Sequence, residues 1–498
     1  MTDNTPSQLR WSYLSTISTA AMQLLASISI TRFLQPSDYG LAAMAMLCSG
    51  LTGYFTQLGM GRAVIQKPDL TDGNIRASFS LSLAAGLGGF AILSMLAPFL
   101  AIYFREPRLK LVLIAFALNM IFQSASMIPG GLLRRELRMR DLAICDFVGY
   151  VVSTFGLGLP LAMKGYGIWA LVASNVSQPL IVAIAYFVAR PHPVLPTMKR
   201  NDYRHITVFG SKASVTTSVE ALGTSLDTLI MGRLVTPTSL GIYNRSLTLS
   251  TQPGYNLSMG LTRVFHPTIA RAAERSMAEC RDILKNSERQ IMAIIMPFCA
   301  GGAIVAPTIV PVIFGKQWIS AVPVYQVLCL VAALDATFHL PAIQLEVINR
   351  FRHKFIIQTI FAIVFGAGIA IVAPHGIVAV AILYAALQLL RSLGLHWLSA
   401  RSLDCSIWSL LNVWFPGMIC SVFVGATLYF AQDRLALLPH IQPAFRLIGL
   451  MLLASVVAVA IYRIIYRDSV YEPWMLVLGR KGHKGAINVA ENAQVLQL

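Results

Sequence analysis

The chain has 498 residues, of which 56% are hydrophobic and 12% charged, and its formal net charge is +17. Soluble domains carry about 25% charged residues, so a water-soluble globule of this length is excluded. The basic excess needs no nucleic acid, because membrane topology accounts for its placement along the chain.

Fourteen apolar stretches have roughly the ~20 residues that cross a bilayer as helix. The first six run over 11–31, 40–59, 78–104, 111–129, 142–163 and 167–189. Two more polar ones follow at 209–231 and 240–262. The last six are 288–313, 321–345, 355–374, 376–400, 409–431 and 445–465. The opening Met1-Thr2-Asp3 is acidic and polar and the first apolar run is long, so no cleaved leader is expected. With the N-terminus inside, 28 of the 39 basic residues fall on the cytoplasmic side and nine outside, leaving Lys212 and Arg245 within spans. Arg391, in the inner half of span twelve, is counted among the 28. A wrong span count would destroy this bias, so the positive-inside rule predicts fourteen spans with both termini cytoplasmic. Anionic inner-leaflet lipid is then the natural neighbour of the basic loops.

A repeat divides the chain. Arg32, Pro36 and Gly40 recur as Arg233, Pro237 and Gly241, and Gly59 with Arg62 recurs as Gly260 with Arg263, all at an offset of 201. A duplicated bundle with a substrate site between its halves has this form. The predicted fold is an all-α integral membrane protein: two pseudo-symmetric six-helix lobes and two extra C-terminal helices. The lobes are 1–190 and 209–400, joined by a basic, proline-bearing linker at 191–208. Spans thirteen and fourteen occupy 401–466 and a polar tail 467–498. Residues Phe265 to Arg289 are either an amphipathic helix on the inner face or a solvated extension of span eight.

Ionisable groups at membrane depth are expensive, on the order of 3 kcal/mol each, and usually face a cavity or a partner. Span seven carries Lys212, Glu220 and Asp227; the two carboxylates lie about 20° apart around the helix, with Lys212 in the same sector. Span eight adds Arg245, with Gln252 and Asn256 continuing its stripe. Span one has a polar row that includes Thr19, Gln23 and Thr31, and Thr19 falls on Glu220 under the offset. Two readings stand: matched faces of a central cleft, or charges that neutralise one another between helices. Span ten contributes Asp335, whereas Asp146 on span five reads as a packing group. Arg32 and Arg233 are caps or interface anchors, and the repeat does not choose between them. The seven cysteines are scattered without a CxxC spacing, as buried small hydrophobes are. There is no GxxxxGK[ST] loop, HExxH or GxSxG motif and no long outer loop, which disfavours an enzyme.

Phe33-Leu34-Gln35-Pro36-Ser37-Asp38-Tyr39-Gly40, followed by Leu58-Gly59-Met60-Gly61 and Ala63-Val64-Ile65-Gln66-Lys67, resembles the opening of the polysaccharide transporter (flippase) family. Its closest branch is that of the colanic acid exporter-like lipopolysaccharide biosynthesis proteins. The resemblance implies the multidrug/oligosaccharidyl-lipid/polysaccharide exporter fold, with spans one, two, seven and eight around a central cavity. It also implies a bacterial inner-membrane location and an undecaprenyl-pyrophosphate-linked oligosaccharide as cargo. Lys212 and Arg245 would then meet the pyrophosphate, and Thr19, Gln23, Gln252 and Asn256 the sugars. Glu220, Asp227 and Asp335 are the candidates for coupling to H⁺ or Na⁺, with no other cofactor expected. Polysaccharide assembly proteins are the implied partners. The alternatives are a small-molecule antiporter of the same fold and a membrane-embedded polymerase or ligase.

Overall fold

A computed structural model describes residues 22, 25–26, 28–56, 61, 64–65, 67, 69–196, 228–436 and 442–465. Every regular element among them is helical. Among the described residues nine helices are long and apolar enough to cross a membrane, or ten if one bent pair is a single span. In chain order the elements are α1 (Pro36–Thr56), α2 (Asp72–Tyr103), α3 (Leu109–Arg135), α4 (Met139–Met163) and α5 (Ile168–Ala189). They continue with α6 (Pro237–Arg275), α7 (Met277–Ile304), α8 (Ala306–Ile313), α9 (Val322–Val347) and α10 (Phe351–Val372). α11 (Ile377–Ser402), α12 (Phe415–Ala436) and α13 (Pro443–Ile465) complete the set. These helices fall on twelve of the fourteen expected apolar segments; most of 11–31 and 209–231 lies outside the described residues.

Three local departures from the expected spans stand out. Span eight does not end near 262: α6 runs 39 residues to Arg275, about 58 Å at 1.5 Å per residue, well beyond a ~30 Å hydrocarbon layer. Its C-terminal part is thus an extension of the span, and the chain turns at Ser276, whose hydroxyl accepts from the Glu279 N–H at 3.1 Å and caps α7. Span nine is broken. Pro307 has no N–H to give the Ala303 carbonyl and its ring would collide there, so α7 stops and α8 leaves at 79°. The freed Ala303 carbonyl accepts from Gln326 Nε2 at 3.1 Å instead. In α4 a π-helical stretch, Val152–Gly158, interrupts the α-helix.

By contact the chain parts into two compact units. One holds Met1–Thr248, Val310–Val324 and Gln358–Tyr384; the other holds Leu249–Ile309, Tyr325–Ile357 and Ala385–Leu498. The expected lobes are units of repeat rather than of contact, so this partition does not measure them. Within the first unit, small residues bring helices close, as membrane packing requires. A Cβ on Gly86 of α2 would lie 2.5 Å from Ser124 Oγ of α3, and Ser82 Oγ donates to the Ser124 carbonyl at 3.1 Å. Tyr186 of α5 donates to Asp146 of α4 at 2.6 Å, making Asp146 a packing group. All seven cysteines are free thiols and six are buried.

The second unit is joined by a polar ladder. Thr337 meets Ser392 at 2.5 Å, and Gln344 accepts from Ser399 at 2.8 Å. The fully buried Glu288 takes His396 Nε2 and Trp414 Nε1 on one carboxylate oxygen, each at 2.7 Å. His396 Nδ1 lies 2.7 Å from the Ser392 carbonyl. Both imidazole nitrogens therefore face oxygen atoms that can accept a hydrogen bond. Trp414 leads into α12, so this contact fixes the helices beyond the repeat to α7 and α11.

Candidate functional site

The repeat anchors meet one another inside the first unit. α1 and α6 each begin with the proline of its repeat and cross within their first turns. A Cβ on Gly40 would lie 1.8 Å from the Pro237 carbonyl oxygen, and a Cβ on Gly241 would lie 1.8 Å from that of Pro36. Only glycine permits this approach. The contact is reciprocal, as a twofold relation between repeats demands.

The arginines of the repeat cross in the same way. Arg32 donates to the Val312 carbonyl at the end of α8, and Arg233 donates to that of Tyr103 at the end of α2. Helix C-termini carry unsatisfied carbonyls and partial negative charge, so each arginine caps a helix of the opposite repeat. The guanidinium of Arg233 also lies 5.5 Å from the Tyr103 ring. Both arginines are caps.

Beside this crossing the same small site is built twice, once polar and once apolar. In the polar copy Arg245 donates to Thr31 Oγ1 at 2.8 Å, and its guanidinium lies 4.4 Å from the Tyr39 ring and 5.4 Å from Phe314. Thr31 also meets the Tyr39 hydroxyl at 2.8 Å, and Trp318 Nε1 donates to the Thr31 carbonyl at 3.3 Å. At the 201 offset Thr31, Tyr39 and Arg245 correspond to Gly232, Leu240 and Met44. Phe104 stands where Phe314 does, each just past the end of its helix. A Cβ on Gly232 would lie 2.6 Å from Phe104 and 3.5 Å from Met44. One copy is thus held by dispersion and the other by a charged hydrogen bond and two cation–π contacts. Such terms are worth about 1.5–3 kcal/mol for the hydrogen bond and up to ~2 kcal/mol for a desolvated cation–π pair.

Of the other candidate residues, Thr19, Gln23, Lys212, Glu220 and Asp227 lie outside the described residues, as does the side chain of Asn256. Gln252 is exposed on α6, two turns beyond Arg245. Asp335 sits in the second unit, accepting from Gln388 at 2.8 Å and Arg391 at 3.4 Å, with His339 3.7 Å away. Arg391 in turn lies 3.9 Å from the Phe338 ring, so it answers an intramembrane carboxylate. Sequence reasoning missed Tyr39, Phe314 and Trp318 around Arg245. The signal available was the offset itself, which sets Arg245 against Met44.

Long apolar helices, paired repeats and intramembrane charges define a multi-pass membrane protein, and solved structures identify its fold. The lipid II flippase MurJ in its inward closed conformation superposes with a TM-score of 0.71 at 12% identity, covering 93% of this chain and 99% of that one. An inward-facing multidrug resistance MATE family transporter gives 0.55 at 15% identity, covering 77% and 94%. At these identities the likeness is one of fold. The polysaccharide biosynthesis protein family matches residues 29–323, more than half of the chain, and the chain belongs to that family. It is 23% identical over 331 residues to the teichuronic acid biosynthesis protein TuaB of Bacillus subtilis, covering 65% of this chain and 67% of TuaB. It is 21% identical over 347 residues to the lipopolysaccharide biosynthesis protein WzxC of Escherichia coli, covering 67% and 68%. The succinoglycan biosynthesis transport protein ExoT of Rhizobium meliloti is 21% identical over 327 residues, covering 64% of each chain.

Proposed function

We propose that the chain is a flippase that carries an undecaprenyl-pyrophosphate-linked oligosaccharide from the inner to the outer leaflet of the bacterial inner membrane. The observation that carries this reading is the reciprocal crossing at Gly40–Pro237 and Gly241–Pro36. Two related halves that meet at one end about a pseudo-twofold axis are the parts alternating access requires. The cargo class rests on the family and on relatives named for three different polysaccharides. Charge placement supports cytoplasmic termini, which puts the crossing on the outer side. The closed crossing then separates a cytoplasm-loaded headgroup from the far leaflet.

In this cycle Arg245 leaves Thr31 and the aromatic rings when the crossing opens, and its charge becomes available to pyrophosphate together with Lys212. Thr19, Gln23, Gln252 and Asn256 serve the sugars as uncharged donors and acceptors. Glu220, Asp227 and Asp335 are the groups through which H⁺ or Na⁺ drives the cycle, and Asp335 does so by exchanging its hold on Arg391. No covalent bond is made or broken, so the protein is not an enzyme. Its surroundings are membrane lipid and the proteins of polysaccharide assembly. The test is a deletion strain assayed for the sidedness of its lipid-linked sugars. Trapping on the inner leaflet, relieved by the wild-type gene, is expected; normal polymer export without the gene would overturn the reading.

A further inference from the structure

The turn between α2 and α3 carries Arg105 and Arg108, and the first turn of α3 carries Lys110; these are three of the nine basic residues that charge placement assigns to the outer side. Basic residues are scarce there for topological reasons, so a cluster needs a cause. Arg108 is matched by Glu106 at 2.8 Å. Arg105 and Lys110 have no ion pair among the described residues, and both line one cleft of about 410 Å³ with Pro98, Ala101, Ile102 and Pro107. That volume is within the range of small-ligand sites.

The backbone holds Arg105 in place. It follows the C-cap of α2 with φ of 56°, and the Arg105 and Glu106 N–H groups return to the carbonyls of Ile102 and Ala101 at 3.1 and 3.0 Å. This closes the helix in a Schellman motif, where glycine is the usual occupant. The second repeat has Gly315 at the corresponding place, with φ of 104°, and Ser320 where the first has Lys110. Leu137 tolerates the same left-handed geometry at the end of α3, so strain alone does not assign a role. The two uncompensated charges over an apolar cleft do.

α2 is 32 residues long, about 48 Å, and so reaches from the hydrocarbon into the headgroup layer of a bilayer ~40–45 Å thick. Ile92, Met95, Phe99 and Ile102 recur at helical spacing and are each more than half exposed, forming an apolar track that leads away from the cleft. We propose that this cleft binds the phosphate of an anionic glycerophospholipid between Arg105 and Lys110, with acyl chains lying along that track. A zwitterionic headgroup is disfavoured because Glu106, the carboxylate of this turn, is already committed to Arg108. The site depends on α2 crossing the membrane and not on the cargo proposed above.

The experiment is native mass spectrometry of the full-length protein in detergent with equimolar phosphatidylglycerol and phosphatidylethanolamine, for wild type and for Arg105→Gly/Lys110→Gln. Glycine suits the backbone at 105, so the variant should fold; its thermal midpoint without added lipid verifies this. Wild type is expected to retain phosphatidylglycerol with a preference of roughly 30-fold, the contribution of two cations at a lipid surface, and the variant to lose it. A folded variant that keeps the preference, or a wild type without one, overturns the proposal. A third arm adds a polyprenyl monophosphate: if it displaces phosphatidylglycerol with the same dependence on Arg105 and Lys110, the site belongs to polyprenyl phosphates and the phospholipid assignment falls.

Discussion

Adding one methyl group at Gly40 tests the crossing of the repeats in isolation. The new Cβ would fall 1.8 Å from the Pro237 carbonyl oxygen, whereas a carbon–oxygen contact settles at about 3.3–3.6 Å. The first turns of α1 and α6 must therefore part by roughly 1.5 Å, and overpacking of this kind costs about 1–3 kcal/mol. If the crossing is one of two states, the closed population falls relative to the open one by roughly 5- to 150-fold. Gly241→Ala meets the Pro36 oxygen at the same 1.8 Å, so its effect should equal that of Gly40→Ala. The double variant should fall short of additivity, because either methyl group alone already forces the separation. Spin labels at Ser37→Cys and Thr238→Cys, with Cys405 changed to Ser, report the separation by double electron–electron resonance. Equal new populations at longer distance in both single variants are expected. An inert Gly40→Ala, or unequal effects at the two glycines, would refute the reciprocal geometry.

Arg245→Met gives the polar site the side chain of its apolar twin. Thr31 keeps its bond to Tyr39, so thermal stability should fall by no more than the lost charged hydrogen bond and two cation–π contacts, about 2.5–7 kcal/mol, while polymer export in a complementation assay is lost. Glu288→Gln breaks the buried pair with His396 and should destabilise the protein by about 3–5 kcal/mol, seen as a lower thermal midpoint in detergent; an unchanged midpoint would mean the pair is not a structural tie. His192, past the end of α5, is buried against Phe79 and Phe187, and burial lowers its pKa below the usual imidazole value. The unfolded chain then binds the extra proton, so this contribution to stability is full above about pH 6.5 and is lost as pH falls toward the lower folded value. His192→Phe should flatten that loss in thermal melts across the acidic range, and an identical pH profile would contradict it.

Much of the fold was legible because apolar length and charge bias are properties of single segments, and they located twelve segments on which the described helices fall. Breaks within segments were harder to read. The bend at Pro307 depends on Gln326 being in reach of the freed carbonyl, and the π stretch in α4 has no local marker. The repeat gave the equivalence of Gly40 and Gly241 but not their partners, since an offset states which residues correspond and not which residues touch. Arg245 was legible as a charge in a polar span. Its partner Thr31 lies 214 residues away, and nothing along the chain joins them. The Glu288–His396–Trp414 contact spans 108 and 126 residues and was invisible for the same reason. Asp335 was found by its depth in span ten, while its engagement by Gln388 and Arg391 needed coordinates.

The most direct measurement reconstitutes the purified protein in proteoliposomes with a fluorescent lipid-linked oligosaccharide on one leaflet and follows its arrival on the other by quenching from outside. Transfer by wild type is expected, with none in protein-free vesicles and little for a Gly40→Leu/Gly241→Leu variant, whose bulk holds the crossing apart. Transfer by that variant at the wild-type rate would contradict alternating access through this crossing, and no transfer by active wild-type protein would contradict the cargo.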